Sequence, residues 1–214
     1  MKIYLVEKVS KTELDEVKRM IGEAFVTNEL FHEFGDIDSR RALVIKYMDI
    51  FTDYVYESKA LYVTEDRKGA IGYLHSKKAP VIPQLKMLFR LLKAIPFNVL
   101  KKYMSHIKQI EGSNKLYASK PHIDTLFVCV DEKCRGKGYA RYLVESAMEY
   151  AKEEKVPLLF DTDMEQYAQI YRHYGCELYN QTTASNGVTR YNLVWNPKQN
   201  FLKRIQNGGF VDGE

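Results

Sequence analysis

The densest chemical signal in this 214-residue chain is the run Asp131-Glu132-Lys133-Cys134-Arg135-Gly136-Lys137-Gly138-Tyr139-Ala140, which follows an apolar stretch and leads into an amphipathic one. A strand ending in a glycine-containing turn that opens a helix directs several backbone N–H groups at one point, and the helix dipole adds positive potential there. Gly136 and Gly138 keep Cβ atoms out of the way, while Arg135, Lys137 and Arg141 bring cationic side chains nearby. A pyrophosphate is the group such a turn suits. The same run also reads as an ordinary strand-to-helix connection, so it needs support from its neighbours. Two better-known phosphate loops do not fit: the chain has no G-x-x-x-x-G-K-[ST], and no full G-x-G-x-x-G after an early strand.

Hydrophobic spacing supplies the elements that must hold this turn. Ile3 to Val6 reads as a short strand, after which Leu14, Val17, Ile21 and Ala24 recur at helical spacing with Ser10 or Thr12 as the cap. A second helix is expected from Ser39 to about Tyr56, started by Asp38-Ser39, with Leu43, Tyr47, Ile50, Phe51 and Tyr54 on one side. Residues 60–64 and 70–74 flank a polar turn and read as a β-hairpin. Pro80 and Pro83 punctuate the chain, and Gln84 to Ile110 reads as helix interrupted near Pro96. In that stretch Lys86, Arg90, Lys93, Lys101, Lys102 and Lys108 stand among Leu85, Leu88, Phe89, Leu91, Leu92 and Leu100. Packing over the core with snorkelling lysines explains this composition more readily than a membrane surface, and a substrate-side lid more readily than an anchor.

Beyond the polar loop Gly112-Ser113-Asn114, Thr125 to Val130 is a strand that runs into the glycine turn, and a long helix with Leu143, Ala147 and Tyr150 on one side follows, closed by Val156-Pro157. Leu158-Leu159-Phe160 suits a buried parallel strand, and a helix from about Met164 to Tyr174 stops at Gly175. Strands near Glu177–Tyr179 and Val188–Val194 join through Ser185-Asn186-Gly187. Hairpins combined with a βαβ unit imply an α+β (α/β) sheet protein. Residues 1–200 are read as a single domain with a helical insertion at 80–120, and 201–214 as a C-terminal tail.

Composition agrees with a folded domain: 45% hydrophobic and 28% charged residues, with 12 Gly and 6 Pro. The net charge of +4 comes from 32 basic and 28 acidic residues, so nucleic acid is not indicated, although a mild positive excess favours an anionic ligand. Cys129, Cys134 and Cys176 are odd in number and lack metal-ligand spacing, which reads as reduced thiols with no metal expected. Met1 to Glu7 lacks the apolar stretch of a signal peptide, and no run of about 18 apolar residues occurs. A cytoplasmic protein without a membrane partner is therefore expected.

Arg135-Gly136-Lys137-Gly138-Tyr139-Ala140 resembles the [RQ]-x-x-G-x-[GA] loop of the GNAT acyltransferase superfamily. Upstream, Leu126 to Val130 looks like that family's fourth strand, and downstream Ile170-Tyr171-Arg172-His173-Tyr174-Gly175-Cys176 looks like its Y-x-x-x-G-F signature. The matches cover roughly residues 122–180. The resemblance implies a mixed, mostly antiparallel sheet of about seven strands flanked by helices and splayed between its fourth and fifth strands, near Val130 and Leu158. It also implies acetyl-CoA as co-substrate. Backbone amides of Val128 and Val130 would meet the thioester and pantetheine, and those of Gly136 to Ala140 the pyrophosphate. An N-acetyltransferase acting by direct attack in a ternary complex is the expected activity; a non-catalytic acyl-CoA-binding sensor or assembly module is the alternative.

Amide formation needs a neutral amine, stabilisation of the developing oxyanion and a proton for the departing thiolate. Tyr171 matches the family's usual general acid, and also reads as a core tyrosine. Asp124 occupies the strand position where some members carry a glutamate base, and also reads as a solvated aspartate. His122 is an alternative on the same strand face, and Asp161 and Asp163 would hold a substrate ammonium or cap the next helix. Cys134 lies near a helix start but is read as inert. The sequence departs from the family where Tyr167 stands four residues before Tyr171 in place of an asparagine, and where Cys176 replaces a phenylalanine. The acceptor is a small-molecule or protein amine, and a homodimer stays open.

Overall fold

The computed structural model describes residues 2–7, 9–111 and 115–197. The loop Gly112-Ser113-Asn114 and the expected tail at 201–214 lie outside them. Helix α1 (Lys11–Phe25) starts at Ser10, whose hydroxyl accepts the Glu13 N–H at 3.2 Å while the Glu13 carboxylate accepts the Ser10 N–H at 2.8 Å, a reciprocal cap. Helix α2 (Ile37–Glu57) begins earlier than the sequence reading placed it. Gly35, at φ +118°, turns the chain so that Asp36, rather than Asp38 or Ser39, is the cap, its Oδ1 accepting the Ser39 N–H at 2.8 Å. Between them a single-turn segment, Glu29–Phe34, went unread because its two anchoring aromatics, Phe31 and Phe34, are too few to show a period.

The hairpin forms as expected from β2 (Leu61–Thr64) and β3 (Gly69–His75), with β1 (Ile3–Leu5) antiparallel to β2. The expected break near Pro96 separates α3 (Val81–Ala94) from α4 (Phe97–Glu111); Ile95, ahead of the proline, is extended at φ −108°, ψ 135°. The short α5 (Lys115–Ala118) leads to β4 (Ile123–Val130). Then come α6 (Tyr139–Glu154), β5 (Leu158–Thr162), α7 (Glu165–His173), β6 (Glu177–Thr183) and β7 (Thr189–Trp195). Gly175 ends the α7 region at φ +90°.

All seven strands form one mixed sheet in the order β1-β2-β3-β4-β5-β7-β6. Only β4 and β5 run parallel, as the right-handed β-α-β crossover through α6 requires. One face is covered by α1, α2, α3 and α4 through Ile21, Val44, Val55, Leu91 and Leu100; the other by α6 and α7 through Leu143, Ala147, Ala151 and Ala168. In the 80–120 stretch, Leu91 and Leu100 are buried, but Leu85, Leu88, Phe89 and Leu92 are exposed rather than packed over the core.

The strand pair that opens is β4 and β5. Their rungs are Ile123–Leu158, Asp124–Leu159 and Thr125–Phe160, after which β4 runs on to Val130 and β5 to Thr162 without pairing. Leu158 therefore sits at the closed end, and the opening lies between Leu126–Val130 and Asp161–Thr162, further along the strands than the sequence reading put it. A bulge accompanies the opening: Gly72 pairs Phe127 and Tyr73 pairs Thr125, leaving Leu126 as the extra residue on β4. Ile123 N–H points toward β5, to the Pro157 carbonyl at 2.9 Å, whereas Asp131 N–H points toward β3, to the Lys68 carbonyl at 2.8 Å. In an unbroken strand residues an even number apart face the same edge. The bulge reverses that alternation, so the amides of Val128 and Val130 face the opened edge.

Candidate active site

At the wide end of the opening the chain makes the glycine turn. Asp131 starts it by accepting the Lys133 N–H at 3.0 Å, and Gly136 and Gly138 continue it at φ +74° and +83°. The first hydrogen bond of α6 runs from Tyr142 N–H to the Gly138 carbonyl at 3.1 Å, so the amides of Tyr139, Ala140 and Arg141 precede any helical acceptor. The first turn carries no acidic residue, and no side chain caps it. A Cβ built on Gly136 or Gly138 would meet nothing within 4 Å, so the space beside both glycines is open. Arg135 and Lys137 are exposed beside it, whereas Arg141 is turned along the helix to Glu145 at 2.7 Å. The Tyr139 hydroxyl donates to Asp66, fastening the turn to the β2–β3 hairpin.

Tyr171 lies on α7 with its ring stacked on Phe160 of the last β4–β5 rung, centroids 4.6 Å apart. Burial, with the neighbouring Cys176 and Cys129 adding, raises its phenol above the ordinary range. It stays protonated through the neutral range and can donate. Thr125, on the same final rung, has a buried Oγ1 with no hydrogen-bond partner among the described residues, a polar atom left for a group entering the opening. Tyr167, in place of the family asparagine, is exposed.

Asp124 and His122 form a pair that the sequence reading treated as alternatives. His122 is buried just ahead of β4, with Nδ1 2.7 Å from the Lys120 carbonyl oxygen and Nε2 3.2 Å from Asp124 Oδ2. A carbonyl only accepts, so Nδ1 carries a proton. A neutral ring would then present a lone pair at Nε2 to a carboxylate that offers only lone pairs. The contact closes only when a second proton lies between them, on Nε2 or on Oδ2. Burial raises the Asp124 carboxyl above the usual carboxylate range, with His122 opposing and Asp161 adding. Its side chain nevertheless keeps 38% exposure, so solvent and solutes reach it. Tyr54 of α2 and Tyr179 of β6 lie within electrostatic reach; burial foremost, and the Asp124 charge in addition, raise both phenols.

Neither Asp161 nor Asp163 caps α7, whose start at Met164 has no side-chain cap. Asp163 is buried and taken by Arg190 of β7 in a two-pronged pair, Nε–Oδ1 2.7 Å and Nη2–Oδ2 2.9 Å. Asp161 Oδ1 accepts from Asn192 at 2.6 Å, and Asn192 Oδ1 accepts from Asn180 at 3.1 Å. Arg190, Asn180 and Asn192 were missed because each is an isolated polar residue on a strand, and only the sheet brings them to the two aspartates. Asp161 Oδ2 also lies 3.9 Å from Arg190 Nη1, so one guanidinium serves both carboxylates. An open hollow beside α7 is lined by Gln169, Arg172, His173, Cys176, Glu177 and Leu178. None of Asp124, Tyr171 or the glycine turn is in its walls.

A seven-stranded sheet parted between its two parallel strands, with an anion-ready turn at the wide end, defines the acyltransferase fold that the motif resembled. The profile of the acetyltransferase (GNAT) family matches residues 45–173, well over half of the chain, and the chain belongs to that family. Among solved structures, an N-acetyltransferase from Staphylococcus aureus Mu50 is similar at 15% identity and a TM-score of 0.55, with 91% of this chain and 100% of that one covered. A structure titled histone acetyltransferase HPA2 and related acetyltransferase, from Corynebacterium glutamicum ATCC 13032, gives 13% identity and a TM-score of 0.57, covering 92% and 95%. The C-terminal condensation domain of Ebony, solved with beta-alanyl-dopamine, gives 10% and 0.61, covering 91% and 99%. Identities this low establish a shared fold only. No curated protein matched the sequence.

Proposed function

We propose that this protein transfers an acetyl group from acetyl-CoA to a primary amine by direct attack, with both substrates bound together. The observation that carries the reading is the β4–β5 opening, whose free edge presents the Val128 and Val130 amides between the glycine turn at its wide end and the last rungs, where Asp124 stands and Tyr171 stacks on Phe160. The residues present fit the co-substrate. The amides of Gly136 to Ala140, with Arg135 and Lys137 beside them, would hold the pyrophosphate. Val128 and Val130 amides would align the pantetheine arm and the acyl carbonyl, and the unpartnered Thr125 hydroxyl sits at the apex. Bound there, acetyl-CoA supplies the activated acyl group; positioning and proton handling belong to the chain.

A bound amine is an ammonium at neutral pH and has no lone pair. The Asp124–His122 pair, once its own second proton has gone to solvent, takes one proton from the nitrogen and passes it to solvent. The neutral nitrogen then attacks, and the pair takes the second proton as the tetrahedral adduct collapses to the amide. Tyr171 gives a proton to the sulfur as the C–S bond breaks, and recovers it from solvent. No step in this scheme uses a metal. The test is release of free thiol from acetyl-CoA with a panel of primary amines and lysine peptides. At least one acceptor should produce thiol together with its N-acetyl product. Tight CoA binding without turnover on any acceptor would instead support a non-catalytic acyl-CoA sensor, and absence of CoA binding would overturn both readings.

A further inference from the structure

Helix α3 has two apolar faces, and the fold uses only one. Met87, Leu91 and Ala94 pack inward, and the seam with α2 is closed by Lys86–Glu57 at 3.1 Å and Arg90–Asp53 at 2.6 Å. Val81, Ile82, Leu85, Leu88, Phe89 and Leu92 lie on a separate stripe, each between 46% and 69% exposed. Val81, Leu85, Leu88 and Leu92 follow the i, i+4, i+7, i+11 spacing of a helix meant to bury that side. Helix α4 extends the surface with exposed Phe97 and Met104 beside exposed Lys101, Lys102 and Lys108. A contiguous apolar patch of this kind marks an interaction surface.

Charge identifies what the surface fits. Residues 76–120 hold ten Lys and Arg against the single acidic Glu111; Lys78, Lys86 and Arg90 pair with carboxylates outside the segment, whereas Lys93, Lys101, Lys102 and Lys108 stand on or beside the apolar surface. Lys93 folds back with Nζ 4.3 Å from the Phe89 ring centroid, an ammonium at the rim of the apolar stripe. Apolar side chains in the middle and lysines at the edge match the boundary between acyl chains and headgroups. No helix among the described residues is long and apolar enough to cross a membrane.

We propose that α3 and the outer side of α4 dock in the plane of an anionic lipid surface, with the Val81–Leu92 stripe immersed and Lys93, Lys101 and Lys102 on the headgroups. The competing occupant, a second copy of the chain, fits less well. A two-fold pair uses the same patch on both subunits, so the lysine-edged surface of one copy would be brought against the lysine-edged surface of the other, whereas an anionic lipid surface complements it. This proposal is independent of the acyl-transfer reading.

The test is sedimentation of the full chain with phosphatidylcholine vesicles, with and without about 30% phosphatidylserine, between about 0.1 and 0.5 M salt. Binding should be at least about tenfold stronger to the anionic vesicles and should be released by salt. The triple substitution Leu85→Gln, Leu88→Gln, Leu92→Gln should lower it by at least about tenfold while leaving the melting temperature in place, because all three side chains are exposed. Lys101→Glu with Lys102→Glu supplies a second variant that touches no apolar packing and should flatten the salt dependence. Failure to sediment with anionic vesicles overturns the proposal, as does equal binding to both vesicle types. So does a dimer that the triple substitution dissolves, which would assign the stripe to a second copy.

Discussion

At the scale of single residues, the proposed scheme divides proton acceptance from proton donation between groups on either side of one strand opening. Tyr171, kept protonated by burial, would be the donor. Tyr171→Phe retains the stacking on Phe160, so CoA affinity should hold while turnover falls on the order of 100-fold; wild-type turnover with chemistry rate-limiting would remove the acid role. The proposed acceptor is the His122–Asp124 pair, whose proton affinity would come from two lone pairs facing each other once the second proton leaves. His122→Gln replaces one of them with an N–H donor, so the acidic limb of the kcat/KM profile should move to lower pH on the same amine. A limb that does not move would separate His122 from the base. Stability tests the same carboxyl independently. Its pKa is raised in the folded protein, so folding binds that proton more tightly, and the group costs stability as pH rises above the ordinary carboxylate value. Melting curves should show Asp124→Asn at no disadvantage near about pH 8, and losing ground relative to the wild type below about pH 4.

At the scale of elements, the β5–α7 turn is held by something other than a helix cap. Asp163 is 5% exposed and depends on Arg190 of β7 for its charge partner. Arg190→Ala strands a buried carboxylate and should cost about 3–5 kcal/mol, read as a lowered melting temperature, whereas Arg190→Met with Asp163→Leu should recover most of the loss. If the double variant melts no higher than the single, the pair is not the source of the stability. The same turn positions Asp161 and α7, so the single variant should also slow turnover by displacing Tyr171. Bulge and glycine turn act together on the other side: Leu126 reverses the amide alternation of β4, and the turn begins where β4 ends.

Over the whole molecule, a ligand wedged between β4 and β5 ties the two halves of the sheet together. A ligand that binds only the folded chain stabilises it by about 2.7 kcal/mol at a hundred times its Kd, so CoA should raise the melting temperature in a concentration-dependent way. Gly138→Asp should abolish that shift. A side chain at φ +83° costs about 1–2 kcal/mol by itself, and its carboxylate would set a negative charge beside the amides proposed to hold the pyrophosphate. An undiminished CoA shift in folded Gly138→Asp protein would take the turn out of the site.

What the sequence determined alone was what local periodicity and local chemistry carry: the hairpin over residues 60–74, the break at Pro96, the stop at Gly175 and the glycine turn that opens α6. These depend on neighbours a few positions apart. The cap of α2 was misplaced by local ambiguity, since Asp36, Asp38 and Ser39 are all competent and only the turn at Gly35 selects among them. Other features depend on residues far apart in the chain, and tertiary structure alone decided them. Asp163 met Arg190 instead of capping a helix because β7 inserts beside β5, and Asp124 acquired the orientation of its partner from a carbonyl at Lys120. The outer stripe of α3 is apolar in the sequence whichever way the helix turns. Only packing against α2 decided which of its two faces was buried and which was left to water.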